Sequence, residues 1–268
     1  MATIFLNVSL SAQKQVEQYN PEAIFHEGVV LFENQHYAGA LECFYKYLQL
    51  SERHERQRDT DAKYYEAASA LLLGNDDGES KILCFVNEHP TSIWAPKANL
   101  LYANKLFSNR KYRDATTIYE SIDMESLNET ERLECKFKKA LCYLNTNKPD
   151  KALPLFREVA TTQSQYYEDA CYYYAHIQYL NKRNDIALEY FDKIKESPRY
   201  KDVVAAYILQ INFNNGNHRE VAAQAEEVMS KVDKRRKAEL AMIVAESYYQ
   251  LGDCETSLGY FETAKENP

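Results

Sequence analysis

The chain has 268 residues, of which 45% are hydrophobic, 27% charged and 13% aromatic, and this balance excludes a disordered or collagen-like protein. Only 7 glycines and 7 prolines occur, which disfavours a turn-rich β-sandwich or propeller. The formal net charge is −8, with 40 acidic and 32 basic residues spread along the chain. We therefore expect no nucleic-acid partner, because the basic surface that phosphate binding requires is missing.

The first 20 residues form a separate N-terminal segment. Residues 2–10 are apolar and are followed by the small residues Ser11 and Ala12, as before a signal-peptide cleavage site, but a basic leading region is missing. The segment is either the tail of a signal peptide that begins upstream or a lead-in helix. No other apolar run approaches the length of a membrane span, so we expect no direct membrane span.

From residue 21 onward, pairs of residues recur at a regular interval. In each pair a small residue is followed four positions later by an aromatic or another small residue, and successive pairs begin 75, 37, 35, 34 and 36 residues apart. The interval of 75 is about two units, and Gly78/Ile82 lies near the place of the missing pair. The pairs are Ala40/Phe44, Ala115/Tyr119, Ala152/Phe156, Ala187/Phe191, Val221/Ala225 and Ser257/Phe261.

Each unit contains a second apolar-periodic segment, which predicts two helices per unit. Twelve residues before each pair lies another mostly small residue, and turn signals rich in Asn and Gly separate the two segments. Two helices approach closely only where one of them lacks bulk, so these small residues predict the helix crossings. The earlier small positions are Gly28, Ala103, Ala140, Ala175, Leu209 and Ala245.

Seven such units can be drawn along the chain, and the second fits worst. There Ala67 and Ala68 lie only 11 and 10 residues before Gly78, so either its turn is shorter or its register differs. The units begin near Pro21, Asp59, Pro96, Leu133, Glu168, Asp202 and Ala238.

This pattern resembles the tetratricopeptide repeat, a helix-turn-helix unit of about 34 residues, over residues 21–268. The resemblance implies an all-α fold: a right-handed superhelical α-solenoid of about seven repeats, forming one domain over residues 21–268. The last helix lacks the polar cap that terminal repeats need. We therefore expect either that the solenoid continues beyond residue 268 in a longer protein or that a second copy covers this end in a homodimer.

The sequence contains no motif that favours an enzymatic function. Motifs for nucleotide binding, serine hydrolysis and zinc proteolysis are absent, and we expect no cofactor and no metal. Ser11 and Lys14 form an S-x-x-K match that we attribute to chance, and Glu22 with His26 predicts an ion pair rather than a metal site. The six cysteines are widely spaced and are predicted to be small buried hydrophobes rather than disulfides or ligands.

The family geometry implies that the first helix of each repeat lines a concave groove. Helical spacing then selects groove residues that are largely aromatic, and aromatic anchors indicate a protein or peptide partner. The alternative is that several of these rings turn inward against neighbouring repeats. The candidate partner-binding residues are Phe25, Val29, Phe32, Leu100, Asn104, Phe107, Phe137, Leu141, Tyr172, His176, Tyr179, Phe213 and Tyr249.

The predicted function is a non-catalytic scaffold that binds a peptide or helix of a partner protein. Capture of a chaperone tail is disfavoured, since Phe25 and Val29 stand where the family's carboxylate-gripping Lys and Asn would be. Residues 87–98 resemble the repeat junction of periplasmic members in bacterial cell envelopes, which favours the periplasm or envelope over the cytoplasm, although unpaired cysteines favour a reducing compartment. The alternative function is a structural spacer or oligomerisation arm of a larger protein.

Overall fold

The computed structural model describes residues 20–50 and 56–265, and in that part of the chain it contains fourteen α-helices, one 3₁₀ turn and no strand. The predicted all-α fold is confirmed. The chain divides into two compact units, unit 1 up to Asn147 and unit 2 from Lys148.

The helices of unit 1 are α1 (Pro21–Glu33), α2 (Tyr37–Leu50), α3 (Arg56–Leu73), α4 (Gly78–Glu88), α5 (Ala95–Ser108), α6 (Tyr112–Ser121) and α7 (Glu129–Asn145), with the 3₁₀ turn at Met124–Ser126. Unit 2 contains α8 (Pro149–Val159), α9 (Tyr167–Leu180), α10 (Asn184–Asp192), α11 (Lys201–Asn214), α12 (His218–Lys231), α13 (Lys234–Gln250) and α14 (Cys254–Lys265). The odd-numbered helices begin within four residues of the seven predicted unit starts, which confirms a solenoid of helical repeats.

Every turn inside a repeat contains one residue in the left-handed region of backbone space. Glycine fills this position at Gly74, Gly216 and Gly252, and Asn147 fills it once. In the other three turns the residue after an asparagine fills it, namely Gln35, Arg110 and Lys182, with φ between 58° and 62° for the four non-glycine residues. The turns lie where the Asn- and Gly-rich signals predict them. In three of them the left-handed residue is the one that follows the asparagine and not the asparagine itself.

The predicted helix crossings are confirmed by burial. All of the small residues that open the pairs are buried, with Ala40, Ala115, Ala152 and Ala187 fully so. Gly28 shows why size matters here, since an added Cβ would lie 2.9 Å from Cζ of Phe44. The close approach of α1 and α2 therefore depends on the absence of a side chain at this position.

The hydrophobic core is built in layers of three helices. One layer combines α1 and α2 with Ala62 of α3, and the next combines α3 and α4 with Ala98 of α5. The same arrangement recurs for α5, α6 and α7, and in unit 2 for α11, α12 and α13. Each hairpin in these layers therefore buries its open face against the first helix of the following hairpin.

Aromatic stacking joins successive repeats within each unit. The ring of Tyr65 stacks on Phe44 with centroids 5.0 Å apart and an interplanar angle of 10°. In unit 2 the ring of Tyr207 stacks on Phe191 at 5.1 Å and 6°, and Tyr173 stacks on Phe156 at 5.2 Å and 19°. In each case a tyrosine of a first helix covers the phenylalanine of the preceding second helix, so these tyrosines form part of the core between repeats.

Trp94 packs between repeats of unit 1, as its position between two predicted units suggests. Its ring stacks on Tyr64 at 4.5 Å and 13°, and its Nε1 donates a hydrogen bond to Asp61 Oδ1 at 2.7 Å. The indole is thus fixed against α3 and is not a free ligand platform.

The second repeat departs from the others in a way that the sequence did not predict. Its turn, residues 74–77, is one residue longer than the three-residue turns of the other repeats, so of the two alternatives for this unit a shorter turn is wrong and a difference in register remains. Helix α4 begins directly at Gly78, which is buried and where an added Cβ would lie 2.7 Å from Cα of Leu71. The contact of α4 with the backbone of α3 accounts for glycine at this position.

The cysteines only partly follow the prediction of burial. Cys135, Cys142 and Cys171 are buried, and burial raises the pKa of Cys142 and of Cys171 to about 11. Cys84 and Cys254 are exposed, and Cys43 is half-buried, so for these the prediction is wrong or incomplete. All six are free thiols.

Two alanine substitutions separate backbone strain from helix propensity. We expect Gly216→Ala to lower the free energy of unfolding by about 1 kcal/mol, because its φ of +76° is unfavourable for alanine. An added Cβ would meet nothing within 4 Å, so a steric clash does not contribute. Gly259→Ala, on the exposed face of α14 with equally open space, should raise it by about 1 kcal/mol. Urea unfolding followed by circular dichroism measures both, and shifts in the same direction would contradict the assignment.

Candidate functional site

Three consecutive first helices of unit 2 enclose a cleft of about 430 Å³, which we call the tyrosine cleft. An adjoining depression shares Tyr179 and extends toward Leu180, Lys182 and Asn214. The tyrosine cleft is lined by Tyr179 of α9, Tyr207 and Gln210 of α11, and Asp233, Arg235, Arg236 and Glu239 at the start of α13.

Tyr207 is the centre of the tyrosine cleft. Its ring contacts Tyr179 edge-on at 5.2 Å and His176 at 5.5 Å, and its stack on Phe191 ties it to the core. Tyr179 Oη lies 3.3 Å from Gln210 Oε1, to which it donates a hydrogen bond. The aromatic wall is therefore fixed by packing before any partner binds.

Arg236 is the cation of the tyrosine cleft that has no ion-pair partner among the described residues. Asp233 is occupied as the cap of α13, accepting a hydrogen bond from the Arg236 backbone N at 3.0 Å, and Glu239 pairs with Arg235 at 3.5 Å. The guanidinium of Arg236 lies over the ring of Tyr207, 4.9 Å from its centroid, and has no ion pair among the residues that the structure describes. A guanidinium held over an aromatic ring is well placed to bind a carboxylate.

The three titratable rings that contact Tyr207, those of Tyr172, His176 and Tyr179, are neutral at pH 7. Burial and the nearby charge of Arg236 lower the pKa of His176. Burial, followed by the interaction with Tyr207, raises the pKa of Tyr172 to about 12, and burial likewise raises that of Tyr179. Arg236 is therefore the charged group that lies directly against this neutral aromatic wall.

The structure brings together three of the predicted groove residues of unit 2. Tyr172 and His176 stack in parallel at 5.9 Å and 4°, and both contact Tyr207, as Tyr179 does. Of the other two, Phe213 is half-buried edge-to-face with His218, and Tyr249 is 58% exposed on α13.

Tyr207 and Arg236 line the cleft although neither is among the groove residues predicted from the sequence. The spacing of three between Tyr207 and Gln210 places both on one face of α11, which was a usable signal. Arg236 lies in the run of basic residues at 234–237, and nothing in the sequence distinguished it from its neighbours.

For three predicted groove residues of unit 1 the expectation of exposure is wrong. Phe25, Leu100 and Phe137 are buried at 8%, 4% and 6% exposure. Phe25 contacts Phe44 of α2 at 5.7 Å and Tyr65 of α3 at 6.3 Å. These positions face the core layers, so the inward-turning alternative holds for them.

The remaining predicted residues of unit 1 are half-buried. Phe32 lies edge-on to Tyr65 at 5.0 Å, and Phe107 lies edge-on to Tyr112 at 5.7 Å. Val29 packs against the layer of α1 to α3, and Leu141 is half-buried on α7. They offer a partner only part of each side chain.

Asn104 of unit 1 belongs to a polar network inside the protein. Its Oδ1 accepts a hydrogen bond from Tyr119 Oη at 2.7 Å, and its Nδ2 donates to Glu134 Oε1 at 3.1 Å. Lys138 Nζ donates to the same Glu134 oxygen at 2.6 Å. Asn104 thus links α5, α6 and α7, a structural role that competes with recognition of a partner.

Two further sequence expectations concern membranes and metals. None of the helices in residues 20–50 and 56–265 combines the length and hydropathy of a membrane span, and the same residues contain no group of three potential ligands for a metal ion. Within the described residues Glu22 pairs with Arg58 of α3 and not with His26, so the predicted Glu22–His26 ion pair is wrong. The predicted N-terminal segment and the Ser11/Lys14 match lie outside the described residues.

Comparison with known proteins finds one tetratricopeptide repeat in the sequence and similar folds among solved structures. A model of the tetratricopeptide repeat matches residues 245–267, and no curated protein matches the chain. One similar solved structure is MamA AMB-1, with 15% sequence identity and a TM-score of 0.54; the match covers 64% of this chain and 90% of MamA. Another is the apo form of RapI, with 13% identity and a TM-score of 0.54; the match covers 92% of this chain and 96% of RapI. A third is a tetratricopeptide repeat protein from Parabacteroides merdae, with 12% identity and a TM-score of 0.51; the match covers 92% of each chain.

At such low identity, the structural likenesses show the fold alone. The matched model covers one repeat, so the chain contains a tetratricopeptide repeat at residues 245–267 and shares its fold with solved tetratricopeptide-repeat proteins. The family resemblance found in the sequence is confirmed.

The lowered pKa of His176 predicts a pH-dependent stability. The unfolded chain binds the His176 proton more readily than the folded one, so stability from this residue is complete above about pH 6.5 and is lost as pH falls below it. We expect the His176→Gln variant to lose less stability than wild type between pH 7.5 and 5.5, because it lacks the imidazole whose protonation favours the unfolded chain. Parallel urea titrations would contradict this if both proteins changed equally.

Proposed function

We propose that the chain is a non-catalytic interaction scaffold whose tyrosine cleft binds a segment of a partner protein. The observation that carries the proposal is an open cleft with a rigid aromatic wall and one unpaired cation, Arg236, over Tyr207. Solenoids of helical repeats provide extended binding surfaces of this kind. No catalytic step is part of the proposal.

The cleft defines the chemistry of the bound segment. An apolar or aromatic side chain fits against Tyr179 and Tyr207, and a carboxylate meets the guanidinium of Arg236 in a charge-assisted hydrogen bond. The neutral state of His176 keeps the wall apolar at pH 7. We therefore propose a peptide segment that carries an acidic residue beside an apolar one.

We further propose that the scaffold works in a bacterial cell-envelope assembly. This proposal rests on the resemblance of residues 87–98 to an envelope repeat junction, which the structure describes as the end of α4, a turn, and the start of α5 at Ala95. Trp94 and Pro96 in this stretch have a packing or helix-starting role, so this location stays a prediction.

A charge-deletion pair tests the tyrosine cleft. Peptides selected by display against the full chain should carry the acidic and apolar pair, and Arg236→Ala should weaken their binding by about tenfold. Lys237→Ala is the matched control, because it removes the same charge one residue away without lining the cleft. Titration calorimetry with the selected peptides measures both variants.

Equal binding of the selected peptides to wild type and Arg236→Ala would contradict the assignment of the cleft. Phe137→Ala is unsuitable for this purpose, because removing a buried ring leaves a core cavity and lowers stability.

A second candidate function, an oligomerisation arm, is favoured by one surface of unit 2. Met242 and Tyr249 lie 70 residues after Tyr172 and Tyr179, two repeats further along. Tyr172 and Tyr179 contact Tyr207 of the next repeat, whereas Met242 and Tyr249 are 55% and 58% exposed. We propose that a second copy of the chain covers these side chains.

Light scattering across a concentration series tests this second candidate. Wild type should dimerise, and the double variant Met242→Glu/Tyr249→Glu should stay monomeric, because a charge placed at each position opposes burial. Val30→Glu, at a position 56% exposed in unit 1, is the control and should dimerise as wild type does. A monomeric wild type at all concentrations would overturn the candidate.

A further inference from the structure

A second cleft of unit 2, of about 540 Å³, lies between α8, α9 and α10. It uses a different face of α9, since Tyr174 is two residues beyond Tyr172 and therefore lies roughly 200° around the helix. We call it the arginine cleft. The residues that carry the argument are Leu153, Pro154 and Arg157 of α8, Gln178 of α9, Arg183 and Ile186.

The arginine cleft contains two cations without counter-ions. Neither Arg157 nor Arg183 forms an ion pair or a side-chain hydrogen bond with any residue that the structure describes, and both line the cleft. Glu158 also borders it but has an interaction partner of its own. Two guanidiniums at one opening favour a carboxylate as the occupant.

Gln178 adds an unsatisfied amide to this cleft. Its side chain is 1% exposed, and its Oε1 accepts no hydrogen bond within the described chain. Buried side-chain amides are ordinarily paired, and the terminal torsion of glutamine is soft. The carboxamide can therefore turn to accept a hydrogen bond from an N–H group of an occupant.

Apolar side chains provide the third requirement. Leu153, Pro154 and Ile186 line the same opening, and they suit an aliphatic group. An occupant thus needs a carboxylate, an N–H donor and an aliphatic group close together. The C-terminal residue of a peptide carries all three on one Cα atom, whereas an internal aspartate or glutamate has no aliphatic side chain of its own.

We propose that the arginine cleft binds the free carboxyl terminus of a peptide that ends in an aliphatic residue. The carboxylate accepts hydrogen bonds from Arg157 and Arg183, the last backbone N–H donates to Gln178 Oε1, and the side chain packs on Leu153 and Ile186. This site is separate from the tyrosine cleft and does not depend on the function proposed for it.

Three probes distinguish the possible occupants in calorimetric titrations of the full chain. They are acetyl-Ala-Ala-Leu with a free carboxylate, the same peptide as its C-terminal amide, and decanoate. We expect the free acid to bind at least about tenfold more tightly than the amide, because the amide lacks the charge that both arginines recognise. Decanoate should bind more weakly than the free acid, since it has no N–H donor.

Two sets of variants locate the binding. Arg157→Gln/Arg183→Gln should weaken binding of the free acid at least about tenfold, whereas the control Arg219→Gln/Lys237→Gln, which removes two charges elsewhere in unit 2, should leave it unchanged. Gln178→Leu should weaken binding while leaving the urea midpoint equal or higher, because the unpaired buried amide is gone. That opposite pair of effects separates loss of binding from loss of folding.

Each contrary outcome overturns the proposal. Equal affinity for acid and amide would remove the role of the terminal carboxylate, and equal or tighter binding of decanoate would make the occupant a lipid-like anion. No binding of the free acid at millimolar concentration, or unchanged binding by Arg157→Gln/Arg183→Gln, would show that the cleft does not recognise a carboxyl terminus.

Discussion

The interaction on which the structure depends is the burial of each hairpin's open face by the first helix of the next hairpin. Two helices joined by a three-residue turn cannot shelter both of their apolar faces, so α1 and α2 need Ala62 of α3, and α11 and α12 need Leu240 and Val244 of α13. The shared helix therefore belongs to two layers at once. Its inward positions must be small where helices approach closely, as at Ala62 of α3, and aromatic where space remains, as at Tyr64 of the same helix.

The same constraint produces the candidate binding surfaces. Tyr207 stacks on Phe191 to close one layer, and the remaining side of its ring supports Arg236 and contacts Tyr179. The cleft wall is thus an extension of the core and is rigid for that reason. On a different face of α9, the buried amide of Gln178 and the cations of α8 and α10 create a second cleft with different chemistry.

The repeats were predictable from the sequence because their cause is local. Small residues at a fixed spacing, and asparagine or glycine in the turns, located the crossings at Ala115 and Ala187 and the turns near residues 35 and 216. The site was only partly predictable. Tyr172, His176 and Tyr179 followed from helical spacing, but the burial of Phe25 and Leu100 is decided by neighbouring helices, and the freedom of Arg236 depends on which carboxylates are already engaged. Neither property is encoded in spacing along one helix.

The position of the only tryptophan has a practical consequence for spectroscopy. Trp94 is clamped between Tyr64 and Asp61 within unit 1, while unit 2 has tyrosine as its only strongly fluorescent residue. Indole emission therefore senses the environment of unit 1 alone, whereas far-ultraviolet dichroism sums the helices of both units. If the two signals change at different denaturant concentrations, the two units unfold independently. Trp94 fluorescence therefore reports whether unit 1 and unit 2 unfold cooperatively.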